Sequence, residues 1–235
     1  MGQKKLLRFN EIKNFSNVLE YPENMAGQWK SRFENNHPIT LELACGRGEY
    51  TVGLAGLFPN ENFIGVDVKG NRMYLGAKKA LQTPLPNAMF LRTQIERIDQ
   101  YFGVDEVNEI WITFPDPQLR TSRAKKRLTH PRFLRLYKNF LKKDGVIHLK
   151  TDSPNLYEFT LSVINMYGLT LLDSSKNVYL EKQGDVKLSI KTFYESLDIA
   201  KSNLIYYLKF SLPEIIVDKD EILQDLLKNT EQACQ

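Results

Sequence analysis

Residues 41–50 read LELACGRGEY, and this stretch decides the fold that we expect. An apolar run beginning at Ile39 leads into Gly46 and Gly48, and a helix-like segment, 49–57, follows. This order of strand, turn and helix is typical of the repeating unit of a parallel sheet. Glycines in such a turn let the backbone approach a nucleotide-like ligand. The stretch therefore predicts an open α/β sheet with a ligand site at its strand ends.

Short β-rich runs and helix-like segments alternate along the rest of the chain. We expect strands at 39–44, 62–67, 88–91, 109–114 and 146–150, with helices at 21–33, 49–57, 71–82, 131–141 and 156–166. The runs at 170–172, 177–180 and 204–210 are also interpreted as strands. Because no long helix separates these late strands, they predict an antiparallel edge on a mostly parallel sheet.

The chain is expected to form one domain with two appendages. Residues 1–19 are polar and basic and predict a mobile N-terminal arm, whereas 213–235 are acidic and predict a C-terminal tail or helix. Residues 20–212 carry the α/β pattern, without internal repeats or a low-complexity linker.

The composition is that of an ordinary globular protein, with 235 residues, 42% of them hydrophobic and 26% charged. No apolar run approaches the roughly 18 residues of a membrane span, and the first residues lack a signal-peptide core. We therefore expect a soluble cytoplasmic protein with no membrane partner. Cys45 and Cys234 lack ligand spacing, so we predict free thiols and no metal site. Monomer and homodimer both stay open.

The net charge of +4 conceals an uneven distribution. Residues 118–143 contain ten basic and no acidic residues, so the remaining chain has 22 basic and 28 acidic residues. A basic segment on an acidic body is typical of a localised polyanion-binding surface. We expect phosphate contacts from Arg123, Lys125, Lys126 and Arg127; the alternative interpretation is a solvated helix face.

Two carboxylates follow the first strands. Glu42 lies at the end of the first strand, beside the glycine turn, where it would repel a pyrophosphate and attract a cation. S-adenosylmethionine carries a sulfonium and an ammonium, so it suits this site better than a dinucleotide. Asp67 ends the second strand, 19 positions after Gly48, which is the placement of an acid that binds ribose hydroxyls.

The segment Phe114-Pro115-Asp116-Pro117 places one carboxylate between two prolines at a strand end. Proline fixes its own backbone and restricts the residue before it, so Asp116 is expected on a stiff loop. The basic segment begins directly afterwards. A rigid acid beside a cofactor site and a polyanion surface predicts catalysis on nucleic acid.

These motifs, together with Leu149-Lys150-Thr151-Asp152 and Thr192-Phe193-Tyr194-Glu195, resemble the bacterial tRNA (guanine-N7)-methyltransferases of the TrmB type, over about residues 40–208. The resemblance implies a Rossmann-like class I methyltransferase domain at 20–212, with a mostly parallel seven-stranded sheet, an antiparallel edge hairpin and helices on both faces. It also implies S-adenosylmethionine as donor and the variable-loop guanine of tRNA at conventional position 46 as acceptor.

The same resemblance implies roles for individual residues. Asp116 is the implied catalytic residue. The implied cofactor-binding residues are Glu42, Gly46, Gly48, Asp67, Gln94 and Asp116, and the implied substrate-binding residues are Arg120, Asp152, Thr192, Phe193, Tyr194 and Glu195.

The chain departs from the family pattern at several positions. Gln94 stands where Asp or Asn is usual, Gln118 replaces a Trp, Arg120 replaces a Lys, and Ser122-Arg123 replaces Arg-His. Arg120 keeps the charge without the geometry of Lys. Two rival interpretations stay open: a methyltransferase acting on an exocyclic base amine, and a non-catalytic tRNA-binding protein of the same fold.

Overall fold

The central strand of the sheet consists of Ile39–Leu43, all five residues of which are buried. The computed structural model describes residues 2–197 and 204–233. In this part of the chain the strands are β1 (Val18–Glu20), β2 (Ile39–Leu43), β3 (Asn62–Asp67), β4 (Ala88–Arg92), β5 (Val107–Thr113), β6 (Leu141–Thr151), β7 (Thr170–Ser175) and β8 (Tyr206–Ser211).

Helices cover both faces of this sheet. They are α1 (Gly2–Glu11), α2 (Trp29–Phe33), α3 (Glu49–Leu57), α4 (Gly70–Gln82), α5 (Pro131–Tyr137), α6 (Pro154–Tyr167), α7 (Val178–Glu181), α8 (Phe193–Ser196) and α9 (Asp220–Ala233). Three short 3₁₀ helices lie at Ile12–Asn14, Ile95–Gln100 and Thr121–Lys126.

The strand order is β1-β4-β3-β2-β5-β6-β8-β7. All pairs are parallel except those that β8 makes with β6 and β7. The mostly parallel sheet with an antiparallel edge is thus confirmed. The chain leaves β2 in one direction to form β3 and β4, and then returns to add β5 on the other side. This reversal opens a crevice between the carboxyl ends of β2 and β5, which is the usual ligand position in open α/β sheets.

Successive side chains along β2 point to opposite faces of the sheet. Leu41 and Leu43 belong to the core under α5 and α6. Glu42 points to the other face, where Tyr50 and Trp111 form part of a second core. A charged side chain is therefore held within the sheet, directly under α3.

Several sequence predictions were wrong in detail. The sheet has eight strands in the described residues, not seven, because β1 pairs with the edge strand β4. The helix α1 and the first two residues of β1 lie within 1–19, the segment predicted as a mobile arm, and Ile12 there is buried. Residues 177–180, predicted as a strand, belong mainly to α7, and the helix predicted at 21–33 covers only Trp29–Phe33.

The acidic C-terminal segment forms a helix, one of the two predicted alternatives. Arg135 of α5 binds the carboxylate of Asp220 at 2.8 Å, and Tyr167 of α6 donates to the same carboxylate. Leu223 is buried in the core. Cys45 is a buried free thiol, whereas Cys234 lies outside the described residues.

Candidate active site

A cavity of about 870 Å³ opens at the carboxyl ends of the central strands. Its walls come from the glycine turn after β2 and the ends of β3, β4 and β5, and from the loop after β6. The predicted residues in its lining are Glu42, Gly46, Asp67, Gln94, Asp116, Lys126, Asp152, Thr192 and Tyr194. Residues distant in the sequence therefore meet at one site.

The turn between β2 and α3 has left-handed backbone at Ala44 (φ 57°), Gly46 (φ 55°) and Gly48 (φ 70°). A Cβ on Gly48 would lie 2.4 Å from the ring of Phe90, so only glycine fits there. The Gly46 N–H donates to Asp67 at 3.0 Å. Sequence and packing together fix the turn against the end of β3.

Glu42 is 3% exposed and accepts three hydrogen bonds. The Thr51 backbone N–H and hydroxyl donate to Oε2 at 2.8 and 2.5 Å, and the Thr113 hydroxyl donates to Oε1 at 2.6 Å. Burial raises the pKa of Glu42 from 4.5 to about 7, although these hydrogen bonds act in the opposite direction. The carboxylate is rigidly held and would be stabilised by a cation bound in the cavity.

The Asp67 carboxylate is also pre-oriented, because its second oxygen accepts the Lys69 N–H at 2.7 Å. Close by in the cavity lining, the buried Thr93 hydroxyl has no hydrogen-bond partner among the described residues. Gln94 lines the cavity with an exposed side chain. An orphaned buried hydroxyl beside two ordered carboxylates fits a ligand with hydroxyl, amine and ring-nitrogen groups.

Asp116 lies at the cavity mouth on a strained loop. Phe114 and Gln118 both have φ 47°, a conformation that residues other than glycine rarely adopt. The Gln118 N–H donates to Asp116 Oδ1 at 3.0 Å, which orients the carboxylate. The predicted stiff loop is therefore held by more than its two prolines.

Arg127 supplies much of the additional support. It is 5% exposed, and its guanidinium donates to the carbonyls of Pro117 at 3.1 Å and Gln118 at 3.1 Å. Its carbon Cζ also lies 4.3 Å from the centre of the Phe159 ring. The prediction that Arg127 contacts tRNA phosphate is wrong, because the side chain is buried and its donors face the loop.

We expect Arg127→Lys to lower the free energy of unfolding by about 1–3 kcal/mol, since an ammonium cannot reproduce the forked bonds to consecutive carbonyls. Denaturant unfolding measures the change. Arg123→Lys, at an exposed position of the same segment, is the control and should be nearly neutral. A phosphate-binding arginine would tolerate lysine, so equal stability of the two variants would contradict the anchoring role.

The box at 192–195 forms the short helix α8. The Thr192 hydroxyl accepts the Glu195 N–H, and Glu195 accepts the Thr192 N–H, as in a capping box. Thr192 and Tyr194 line the cavity, whereas Phe193 lies outside the lining. Glu195 also lies outside it and turns towards β6, which does not match its predicted contact with guanine.

Lys150 of β6 is the residue that Glu195 contacts. Its side chain is fully buried, and Nζ donates to the carbonyls of Leu188 at 2.9 Å and Ile190 at 2.8 Å and to Glu195 at 3.3 Å. Burial lowers the pKa of Lys150, while the carboxylate of Glu195 acts in the opposite direction. Lys150 thus ties the segment before α8 to the sheet. Lys150 belongs to the motif Leu149-Lys150-Thr151-Asp152, but no functional role was predicted for it. Its position two residues before Asp152 is the signal in the sequence that places it near the site.

The basic segment divides into separate surfaces. Arg120, Arg123, Lys125 and Lys126 are exposed around the 3₁₀ helix Thr121–Lys126, and Lys126 reaches the cavity lining. Arg135 is paired with acidic residues before α9 and in its first turn. Lys142 and Lys143 lie near the start of β6, nine and eight residues before its carboxyl end. Of these basic residues, Lys126 is the one that lines the cavity.

The described part of the chain was examined for a metal centre and for a membrane span. Among residues 2–197 and 204–233, no three His, Cys, Asp or Glu side chains are placed to hold a metal ion. None of the helices in these ranges has the length and hydropathy that crossing a bilayer requires.

The strand order and the position of the cavity define a class I methyltransferase fold. The chain superimposes on the crystal structure of the 16S rRNA methyltransferase KamB with a TM-score of 0.60 and 16% identity, covering 80% of this chain and 94% of that one. The A1408 methyltransferase of the 30S ribosome from an uncultured bacterium gives a TM-score of 0.57, also with 16% identity, covering 80% and 93%. At this identity, the likeness concerns the fold.

Sequence comparison is more specific. Residues 36–208 match a family model described as a putative methyltransferase. A tRNA (guanine-N(7)-)-methyltransferase of Bacteroides thetaiotaomicron is 45% identical over 223 residues, covering 91% of this chain and 88% of that protein. One of Christiangramia forsetii is 45% identical over 223 residues, covering 90% and 100%. This chain belongs to the tRNA (guanine-N(7)-)-methyltransferase family.

Proposed function

We propose that this protein transfers a methyl group from S-adenosylmethionine to N7 of a guanine in tRNA, the variable-loop guanine at conventional position 46. The observation that carries the proposal is the single cavity that holds Glu42 and Asp67 together with Asp116 and Asp152. The cavity therefore contains carboxylates that can bind a cationic nucleoside cofactor and carboxylates that can bind a nucleic-acid base.

The residues present fit the cofactor. Glu42 would pair with the ammonium of the methionine part, and Asp67 with the ribose hydroxyls. Thr93 and Gln94 follow β4 and offer hydroxyl and amide groups to the adenine. Bound there, S-adenosylmethionine supplies an electrophilic methyl group on a positively charged sulfur.

Guanine N7 carries a lone pair in the ring plane, so methylation requires no prior removal of a proton. The main task of the protein is therefore to align the base, and such positioning can contribute roughly 7–11 kcal/mol. Asp116 lies on a preorganised loop at the cavity mouth, where its negative charge stabilises the positive charge that develops on the guanine ring. The carboxylate acts without accepting a proton.

Asp152 lines the cavity, and in this proposal it accepts hydrogen bonds from guanine N1–H and N2–H, groups that adenine lacks. We assign base selection to Asp152, together with Thr192 and Tyr194, which line the same cavity. A stacked and paired base hides these edges, so the target must be exposed or flipped, as in a loop.

The experiment combines the purified protein with bulk tRNA and methyl-labelled S-adenosylmethionine, followed by mapping of the modified nucleotides. We expect label in N7-methylguanosine at the variable loop, and none in a transcript in which that guanine is replaced by adenine. Label on an exocyclic amine would support the first rival interpretation. Binding of tRNA without label would support the non-catalytic one.

A further inference from the structure

Three cationic residues lie at the N-terminal ends of the helices after β2 and β3, and two of them, Lys69 and Arg72, line the cavity. Arg47 belongs to the glycine turn, Lys69 precedes the first residue of α4, and Arg72 lies in the first turn of α4. We call these residues the cofactor-side rim. Between Arg47 and Arg72 the sequence has three basic and three acidic residues, so no local charge excess marks the rim.

Arg47 is held over the aromatic ring of Phe193, which lies outside the cavity lining. Its carbon Cζ lies 3.4 Å from the centre of the Phe193 ring, and Phe193 is 36% exposed. The Phe193 N–H donates to Glu49 at 2.8 Å, which fixes the ring beneath the guanidinium. Stacking holds the plane of a guanidinium while its N–H edge can still donate to an oxyanion.

Arg72 has a similar setting, with Cζ 5.5 Å from the centre of the Tyr194 ring, and it lines the cavity together with Lys69. Among the described residues, none of the three rim cations forms a salt bridge. The nearby Asp67 carboxylate accepts backbone N–H groups instead. Within residues 2–197 and 204–233, the rim therefore presents cations that form no salt bridge with a side-chain acid.

Lys126 lines the same cavity and belongs to the segment after β5, which flanks β2 on the side away from β3. A nucleotide whose base enters the cavity has a backbone phosphate on each side, and one basic side of the mouth can hold only one of them. We propose that Arg47, Lys69 and Arg72 bind the tRNA backbone on the side of the target nucleotide opposite Lys126. This inference rests on the proposed function and adds a second strand-binding surface to it.

The test measures tRNA affinity against salt concentration, without cofactor, for Lys69→Gln/Arg72→Gln. The slope of log affinity against log salt is negative, and each lost phosphate contact reduces its magnitude by about 0.7. For the double variant we therefore expect the magnitude to decrease by about 1.4. The matched control is Lys142→Gln/Lys143→Gln, which removes two charges from the distant end of β6. Arg47→Gln should reduce the magnitude of the slope by about 0.7 relative to the wild-type protein. Its control is the single variant Lys143→Gln, which should keep the wild-type slope. Calorimetry with S-adenosylmethionine verifies that the cofactor site of each variant is intact.

A smaller slope for the rim variants, with the wild-type slope for the controls, would establish the rim as a phosphate site. An equal fall in both sets would reduce the effect to net charge and overturn the inference, as would an unchanged rim slope. Failure of the wild-type protein to bind tRNA would instead contradict the proposed function, so the two failures are distinguishable.

Discussion

Asp116→Asn is expected to lower kcat for tRNA methylation by about 10²–10³-fold while S-adenosylmethionine still binds. Asparagine keeps the size of the side chain and the acceptor for the Gln118 N–H, so the loop retains its shape. The substitution removes the negative charge that faces the developing positive charge on guanine, an effect of the size measured when one preorganised electrostatic contact is lost. Single-turnover kinetics measure the rate, and calorimetry measures cofactor binding.

The matched control is Asp144→Asn, which makes the same chemical change at an exposed residue of β6, far from the cavity. Its kcat should equal that of the wild-type protein. Turnover of Asp116→Asn within a few-fold of wild type would show that Asp116 does not stabilise the transition state. Loss of cofactor binding in Asp116→Asn would show that Asp116 binds the cofactor rather than stabilising charge on the base.

Glu42→Gln is expected to stabilise the cofactor-free protein and to weaken cofactor binding. Because burial raises the pKa of Glu42 to about 7, the folded state holds the proton more tightly than the unfolded state. Stability from this residue is therefore complete below pH 4.5 and is lost as the pH rises to about 7. At pH 8, neutral glutamine avoids a penalty of roughly 3 kcal/mol, whereas the cofactor ammonium loses its counter-ion.

Unfolding in denaturant at several pH values measures the first effect, and calorimetry at pH 8 measures the second. The stability gain should vanish near pH 4.5, where both side chains are neutral in the folded protein. Glu23→Gln, at an exposed glutamate, should change neither quantity. A loss of stability at pH 8 would mean that the threonine hydrogen bonds to the carboxylate outweigh its desolvation.

Residues at strand ends were predictable because parallel strands bring their carboxyl ends to one edge of the sheet. Glu42, Asp67 and Asp116 each follow or end a strand whose apolar pattern is clear, and all three line the cavity. Their functional roles stay predictions. The strand β1 was not predicted, because its three residues, VLE, are too few for hydrophobic periodicity to distinguish a strand from a loop.

The two anchoring cations could not be assigned from the sequence, for a different reason. Arg127 and Lys150 bind backbone carbonyls, and every residue has a carbonyl, so no residue type marks the partner. For Lys150 the partners lie about 40 positions away, at Leu188 and Ile190. In the basic segment, Arg127 is indistinguishable from its exposed neighbours until burial is known.

The contacts between α8 and the glycine turn have a thermodynamic consequence. The Phe193 N–H donates to Glu49, and a Cβ on Gly46 would lie 3.2 Å from the Tyr194 ring, so α8 and the glycine turn touch directly. When two ligands bind against one shared contact, their binding affinities are coupled. Any factor by which cofactor changes the affinity for tRNA must equal the factor by which tRNA changes the affinity for cofactor. The contacts between α8 and the glycine turn therefore link the two binding equilibria equally in both directions.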